Sequence, residues 1–139
     1  MKNLIPFFLA ALCLAAQAAD PAAETLTGHF EPAKRTKAVF SLDVMQTGKS
    51  AKVSFSAGNP DGSGAAPDGD AEGTVNAKGD LEFKWTDTFD NAGTGTLHRN
   101  GKLFQLSMKV SKAAEPRALA FYGDMTLKRT SLKPQMSTR

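Results

Sequence analysis

Two carboxylates, Asp87 and Asp90, flank Phe89 in the segment Trp85-Thr-Asp-Thr-Phe-Asp-Asn91. With His98 and Arg99 across a hairpin, they could do general acid–base work at a barrel mouth, one group taking a proton while another gives one. The same residues equally suit Asx turns, in which an Asp or Asn side chain bonds the backbone two residues on, and that reading is preferred. A second cluster, Asp68-Gly-Asp70-Ala-Glu72-Gly73, puts carboxylates at positions 1, 3 and 5 and glycine at position 6, as a calcium loop would begin. Position 12 is then Gly79 rather than Glu, and no flanking helices are expected. A solvated acidic segment is the plainer account, and no metal is assigned.

Nucleophilic chemistry lacks its parts. The one cysteine, Cys13, lies in the apolar N-terminal run. His29, His98, Ser54, Ser56 and Ser107 all fall on the outward phase of strands, whereas a triad must converge in a pocket. There is no Gly-x-Ser-x-Gly elbow, no Walker loop and no dinucleotide fingerprint; Gly93-Thr-Gly95 is only a Gly-x-Gly. No catalytic residue and no cofactor are therefore expected, and the chain reads as a non-enzyme.

The elements that position these groups begin after residue 18. Lys2, the apolar run Leu4–Ala15 and the small-x-small site Ala16-Gln17-Ala18 have the form of a secretory signal peptide, cut after Ala18. The run is shorter than the roughly 20 apolar residues of a membrane span and carries Pro6, so no transmembrane segment is expected. Leu12 before Cys13 is too large for a lipoprotein site. A periplasmic or secreted location follows, for a mature chain without cysteine that must hold together by its core alone.

Net charge is +3 and the pI about 9.1. All 14 acidic residues fall between 19 and 127, while Lys128, Arg129, Lys133 and Arg139 lie at or beyond the end of the last strand. The basicity is thus a property of the tail. With no basic strand face interleaved with aromatics, a nucleic-acid partner is not expected. Lys34-Arg-Thr-Lys37 reads as a guard on a strand edge.

From residue 26 onward apolar and polar residues alternate with period two, the mark of half-buried strands. Eight runs are expected, around 26–31, 38–44, 51–57, 75–77, 81–86, 94–98, 104–111 and 119–128. Thr47-Gly48, Lys78-Gly79 and Asn100-Gly101 supply hairpin turns, the last expected as type I′. The fold class is all-β: an eight-stranded antiparallel up-and-down barrel, lipocalin-like, or a closely related sandwich, spanning 26–128. A flexible segment, 19–25, precedes it and a disordered basic tail, 129–139, follows. Phe40, Phe55, Phe83, Trp85, Phe104 and Phe121 take the inward phase. They could line a cavity for a small apolar ligand, but so many rings favour a solid interior.

One insertion breaks the rhythm. Residues 58–73, GNPDGSGAAPDGDAEG, are long for a hairpin loop. Ser63-Gly64-Ala65 resembles part of the loop motif of the periplasmic inhibitors of c-type lysozyme, themselves small exported eight-stranded barrels. In that family a Ser-Gly-Ala-Lys-Tyr loop enters the lysozyme cleft, where Ser and Lys contact the catalytic carboxylates. Here Ala66 and Pro67 stand at the Lys and Tyr positions, and the family's disulfide is absent. The resemblance implies that Ser63 faces a protein partner. The expectation is an exported binding protein that contacts an envelope or extracellular protein, as inhibitor or immunity factor, through Asp61, Ser63, Asp68, Asp70, Asp87, Asp90 and Asn91. Ligand carriage and a structural or stress-related envelope role are the alternatives.

Overall fold

The computed structural model describes residues 25–136. The expected signal segment 1–18, with Cys13, lies outside the described residues, as do 19–24 of the expected flexible segment. The strands are β1 (Gly28–Pro32), β2 (Val39–Thr47), β3 (Ser50–Gly58), β4 (Asp68–Val75), β5 (Leu81–Asp87), β6 (Ala92–Asn100), β7 (Leu103–Lys112) and β8 (Asp124–Ser131). Each pairs antiparallel with the next and β8 returns to β1, so the sheet closes into an eight-stranded barrel. No helix among the described residues is long and apolar enough to cross a membrane.

The alternation seen in the sequence is the inside–outside alternation of the wall. In β5, Leu81, Phe83, Trp85 and Asp87 are buried while Glu82, Lys84 and Thr86 are exposed. Phe30, Phe40, Leu42, Val53, Phe55, Leu97, Phe104, Leu106 and Leu127 complete a filled interior. Burying each such side chain contributes about 1.5–3 kcal/mol, which supports a fold with no disulfide among its described residues.

The wall is shaped by a large–small match. The β5 aromatics lie between β4 and β6, whose inward positions beside them include Gly69, Ala71, Gly73, Gly93 and Gly95. A Cβ on Gly95 would overlap the Phe83 ring, and one on Gly69 the Phe55 ring. The glycines make room for the rings, and this hid β4 from a hydropathy reading. The fourth strand, expected at 75–77, runs over Asp68–Val75. The loop expected over 58–73 is correspondingly shorter, at 59–67.

Three further expectations are corrected. The last strand starts at Asp124, because Glu115-Pro116 opens a 3₁₀ helix, Pro116–Phe121, in which the Glu115 side chain accepts from the Arg117 N–H. Phe121 therefore packs against the core from the barrel's end rather than from a strand. The tail expected to be disordered from residue 129 instead begins within β8, where Arg129 sits opposite Phe30, and the Gln135 N–H donates to Asp43 at 2.7 Å. The 100–103 hairpin places Gly101 (φ 63°) and Lys102 between the paired Asn100 and Leu103. Lys102 is not at positive φ, so this is not type I′; glycine at the first central position matches type II′.

Candidate functional site

Strand alternation sorts the connections between the barrel's two ends. One end carries the short turns: Gly48-Lys49, Asn76–Asp80 and Gly101-Lys102. The other carries 33–38, 59–67, 88–91 and 113–123. Segments positioned by a rigid scaffold are where binding surfaces are usually built, so the loop-bearing end is the candidate site.

Its longest connection without a helix, 59–67, is held internally. Asp61 Oδ1 accepts from both the Ser63 N–H (2.9 Å) and the Ser63 hydroxyl (2.6 Å), and these two bonds hold the Asp61 carboxyl below its ordinary range. Asn59 Nδ2 donates to the Ser63 carbonyl and the Gly62 N–H to the Asn59 carbonyl. At the foot, Pro67 is fully buried and its carbonyl accepts from the Ala57 N–H. The tip, Asp61 to Gly64, is exposed. Ser63, the residue that resembles the inhibitors' serine, thus presents its oxygen while its proton goes to Asp61.

Beside this loop lies a buried polar knot. Asp87 accepts from the Phe89 and Asn91 N–H groups and the Asn91 side-chain amide, all at 2.9 Å, and from the Tyr122 hydroxyl at 2.6 Å. Burial pushes the Asp87 carboxyl up, but these four hydrogen bonds outweigh it and leave the group below its ordinary range. Burial, reinforced by hydrogen bonding to Asp87 and its negative charge, drives the Tyr122 phenol well above its ordinary value. Asn91 is 0 % exposed. Its Oδ1 accepts from the Ala114 and Glu115 N–H groups at 2.8 Å, tying the 113–123 connection to the 88–91 turn. Tyr122 also corks the interior, its ring 4.5 Å from Trp85 and 5.8 Å from Phe55.

The expected contact residues divide accordingly. Asp61, Ser63 and Asp90 are exposed at the loop-bearing end, Asp90 at φ 61° in its turn. Asp87 and Asn91 are buried and fully engaged, so they build this surface instead of touching a partner. Asp68 and Asp70 lie on β4, not in a loop; Asp68 stands at the strand's start, linked through its backbone to Thr88, and Asp70 faces outward on the barrel's side. An extended strand cannot wrap a cation, so Asp68, Asp70 and Glu72 do not form the calcium loop that their spacing allowed. Among the described residues no group of three or more His, Cys, Asp or Glu could hold a metal ion.

The acid–base set is not assembled. His98 and Arg99 lie at the far end of β6 from Asp87 and Asp90. His98 Nδ1 is 2.6 Å from Asp80, and Arg99 donates to the Thr25 carbonyl. His29, expected on the outward phase of its strand, is buried beside Asp43, with Nδ1 2.7 Å from the carboxylate that also receives the Gln135 N–H. Phe40, Phe55, Phe83, Trp85 and Phe104 are buried in the packed interior, as their inward phase predicts.

Sequence reasoning missed Tyr122, which alternation had set on the outer face of the last strand. The usable signal was Pro116, which opens a 3₁₀ helix across the first residues of that expected strand, together with Asp87 and Asn91 spaced to close one turn. No family model, curated protein or solved structure matches this chain.

Proposed function

We propose that this chain is an exported, non-catalytic binding protein whose loop-bearing end docks on another protein of the bacterial envelope, as an inhibitor or immunity factor would. The observation that carries the reading is the 59–67 loop. It projects from a rigid barrel, is ordered by its own Asp61–Ser63 and Asn59–Ser63 bonds, and leaves its tip exposed. Such preorganisation lowers the ordering cost that a flexible loop meets on binding. The filled interior supports a surface role over carriage, because Phe40, Phe55, Phe83, Trp85 and Phe104 occupy the space an apolar ligand would need.

The test is site-specific photo-crosslinking in cells of the source type, with the photoreactive residue at Ser63 or, as control, at Lys102 on the opposite end. Discrete adducts from Ser63 and none from Lys102 are expected. Adducts from neither position, or equally from both, would remove the assignment to this end.

A further inference from the structure

The barrel wall has a notch at the loop-bearing end. The β1–β2 register stops at Phe30↔Leu42. Beyond it β1 stays with β8, through Glu31↔Lys128, Pro32↔Leu127 and the Ala33 N–H to the Thr126 carbonyl. β2 meanwhile stays with β3, through Val39↔Gly58 and Phe40↔Ala57. Backbone groups alternate sides along a strand. Since Ala57 turns its N–H toward β4, to the Pro67 carbonyl, its cross-strand neighbour Phe40 turns its N–H and C=O toward β1. The residue that would face it there is Pro32, which has no N–H to give. Phe40 accordingly has no registered partner in β1.

An open groove of about 450 Å³ occupies this notch, reaching from Pro32 and the 33–36 segment across Val39 and Phe40 to Pro60. Its rim is cationic: Lys34, Arg35 and Lys128 line it, and Lys37 stands exposed beside it. Glu31 is the one acid in the lining, and its carboxylate is 3.5 Å from His29 Nε2. Lys34, Arg35 and Lys128 form no ion pair with any carboxylate among the described residues. Val39, at 56 % exposure, adds an apolar contact at the edge.

We infer that this notch receives an acidic, extended peptide segment of the protein partner, added as a short strand beside Phe40 with its carboxylates on Lys34, Arg35 and Lys128. Because Pro32 has no N–H, it is the Phe40 C=O that lacks a β1 donor; a strand N–H complements that carbonyl, and the cation rim selects acidic side chains, so main-chain bonding and charge act together. The inference rests on the protein-binding reading above but uses different residues from the 59–67 tip. A lysine-rich turn is also the ordinary guard against edge pairing. Here it blocks basic and neutral strands while admitting an acidic one.

The test is fluorescence anisotropy of the mature protein with a labelled heptapeptide alternating glutamate and valine, against its lysine–valine counterpart. Three results are expected: binding of the acidic peptide alone; weakening of about tenfold or more with Lys34→Glu/Arg35→Glu, but none with Lys102→Glu; and loss of binding when alternate peptide nitrogens are methylated, measured on unaltered protein so that folding of a variant is not at issue. No binding, or binding indifferent to charge reversal or to methylation, overturns the inference. Binding of phosphatidylglycerol vesicles through the same lysines, with no peptide binding, overturns it in favour of a membrane surface. Because every arm leaves Ser63 in place, crosslinking from Ser63 that persists while the peptide arm fails removes the notch alone.

Discussion

The two ends of the barrel are closed by different chemistry. At the short-turn end, Phe104 is covered by two guanidinium groups, Arg99 and Arg129 at 5.0 and 5.4 Å from its ring centre, and both donate to the Thr25 carbonyl at 2.8 Å. The cover is a stretch of N-terminal backbone laid across the opening. At the loop-bearing end, Tyr122 fills the opening and Asp87 and Asn91 hold the connections around it. The first end is a seal, two guanidinium groups over a ring that tie N-terminal backbone across it. The second is a platform, in which buried polar groups order the chain so that neighbouring loops can stay exposed without becoming loose. Length does not explain how the 113–123 connection is held; the satisfied buried amide of Asn91 does.

The comparison breaks most severely at Gly93. A Cβ there would overlap the Lys109 carbonyl and sit 2.7 Å from the Trp85 ring. Backbone cannot rotate away as a side chain can. Gly93→Ala is expected to cost about 3 kcal/mol or more, at the upper end of overpacking effects, seen as a large fall in the urea midpoint.

Asn91→Ala is next. It leaves the Ala114 and Glu115 N–H groups without their acceptor and strips a donor from Asp87. Unsatisfied buried groups cost about 1–3 kcal/mol each, so a loss of about 2–4 kcal/mol is expected. Amide exchange would separate the ends: 113–123 should lose protection while 47–50 and 100–103 keep theirs. The same knot sets an acid limb. Asp87 titrates lower when folded than when unfolded, so its contribution is complete above the unfolded carboxyl range, near about 3.9, and is lost as pH falls through the lower folded value. Urea midpoints across that range should fall more steeply for the wild type than for Asp87→Asn, which has no carboxyl to protonate.

At the other end the expected effect is smaller and local. Gly101 sits at φ 63° with open space around its missing Cβ, so Gly101→Ala meets backbone strain but no clash. About 1 kcal/mol is expected, with photo-crosslinking from Ser63 unchanged. A comparable loss of crosslinking would show that the ends are coupled rather than independent.

How far the sequence revealed this molecule follows from what fills the barrel. Strands β2, β3, β5 and β7 carry Phe, Leu, Val or Trp at their inward positions, and alternation exposed them directly. β4 was hidden because its inward residues are Gly69, Ala71 and Gly73, chosen for the space that neighbouring rings occupy. Its outward Asp68, Asp70 and Glu72 then looked like a loop. Asp61 and Ser63 were legible as surface because turn residues advertise themselves. The roles of Asn91, Tyr122 and Arg129 were not, because each bonds chain more than twenty residues away. The notch depends on two strands parting company, which no local pattern records.

The finest discrimination comes from Asp61→Ala. Asp61 is exposed and bonds only Ser63 among the described residues, so the barrel has no stake in it and the urea midpoint should not move measurably. The loop, however, loses the two bonds that set the Ser63 backbone and hydroxyl, while Asn59 still holds the Ser63 carbonyl. Partial rather than complete loosening is expected: faster amide exchange at 61–64, with Pro67 and Ala57 still paired. If the preorganised tip is what the partner meets, adduct yield from a photoreactive residue at Gly64 should drop in Asp61→Ala, and Asp61→Asn, which keeps an acceptor oxygen, should restore most of it. Unchanged yield in both variants would show that the partner orders this loop for itself. The rigid tip would then be a consequence of turn chemistry, and the contacts of the loop-bearing end would belong to its other connections.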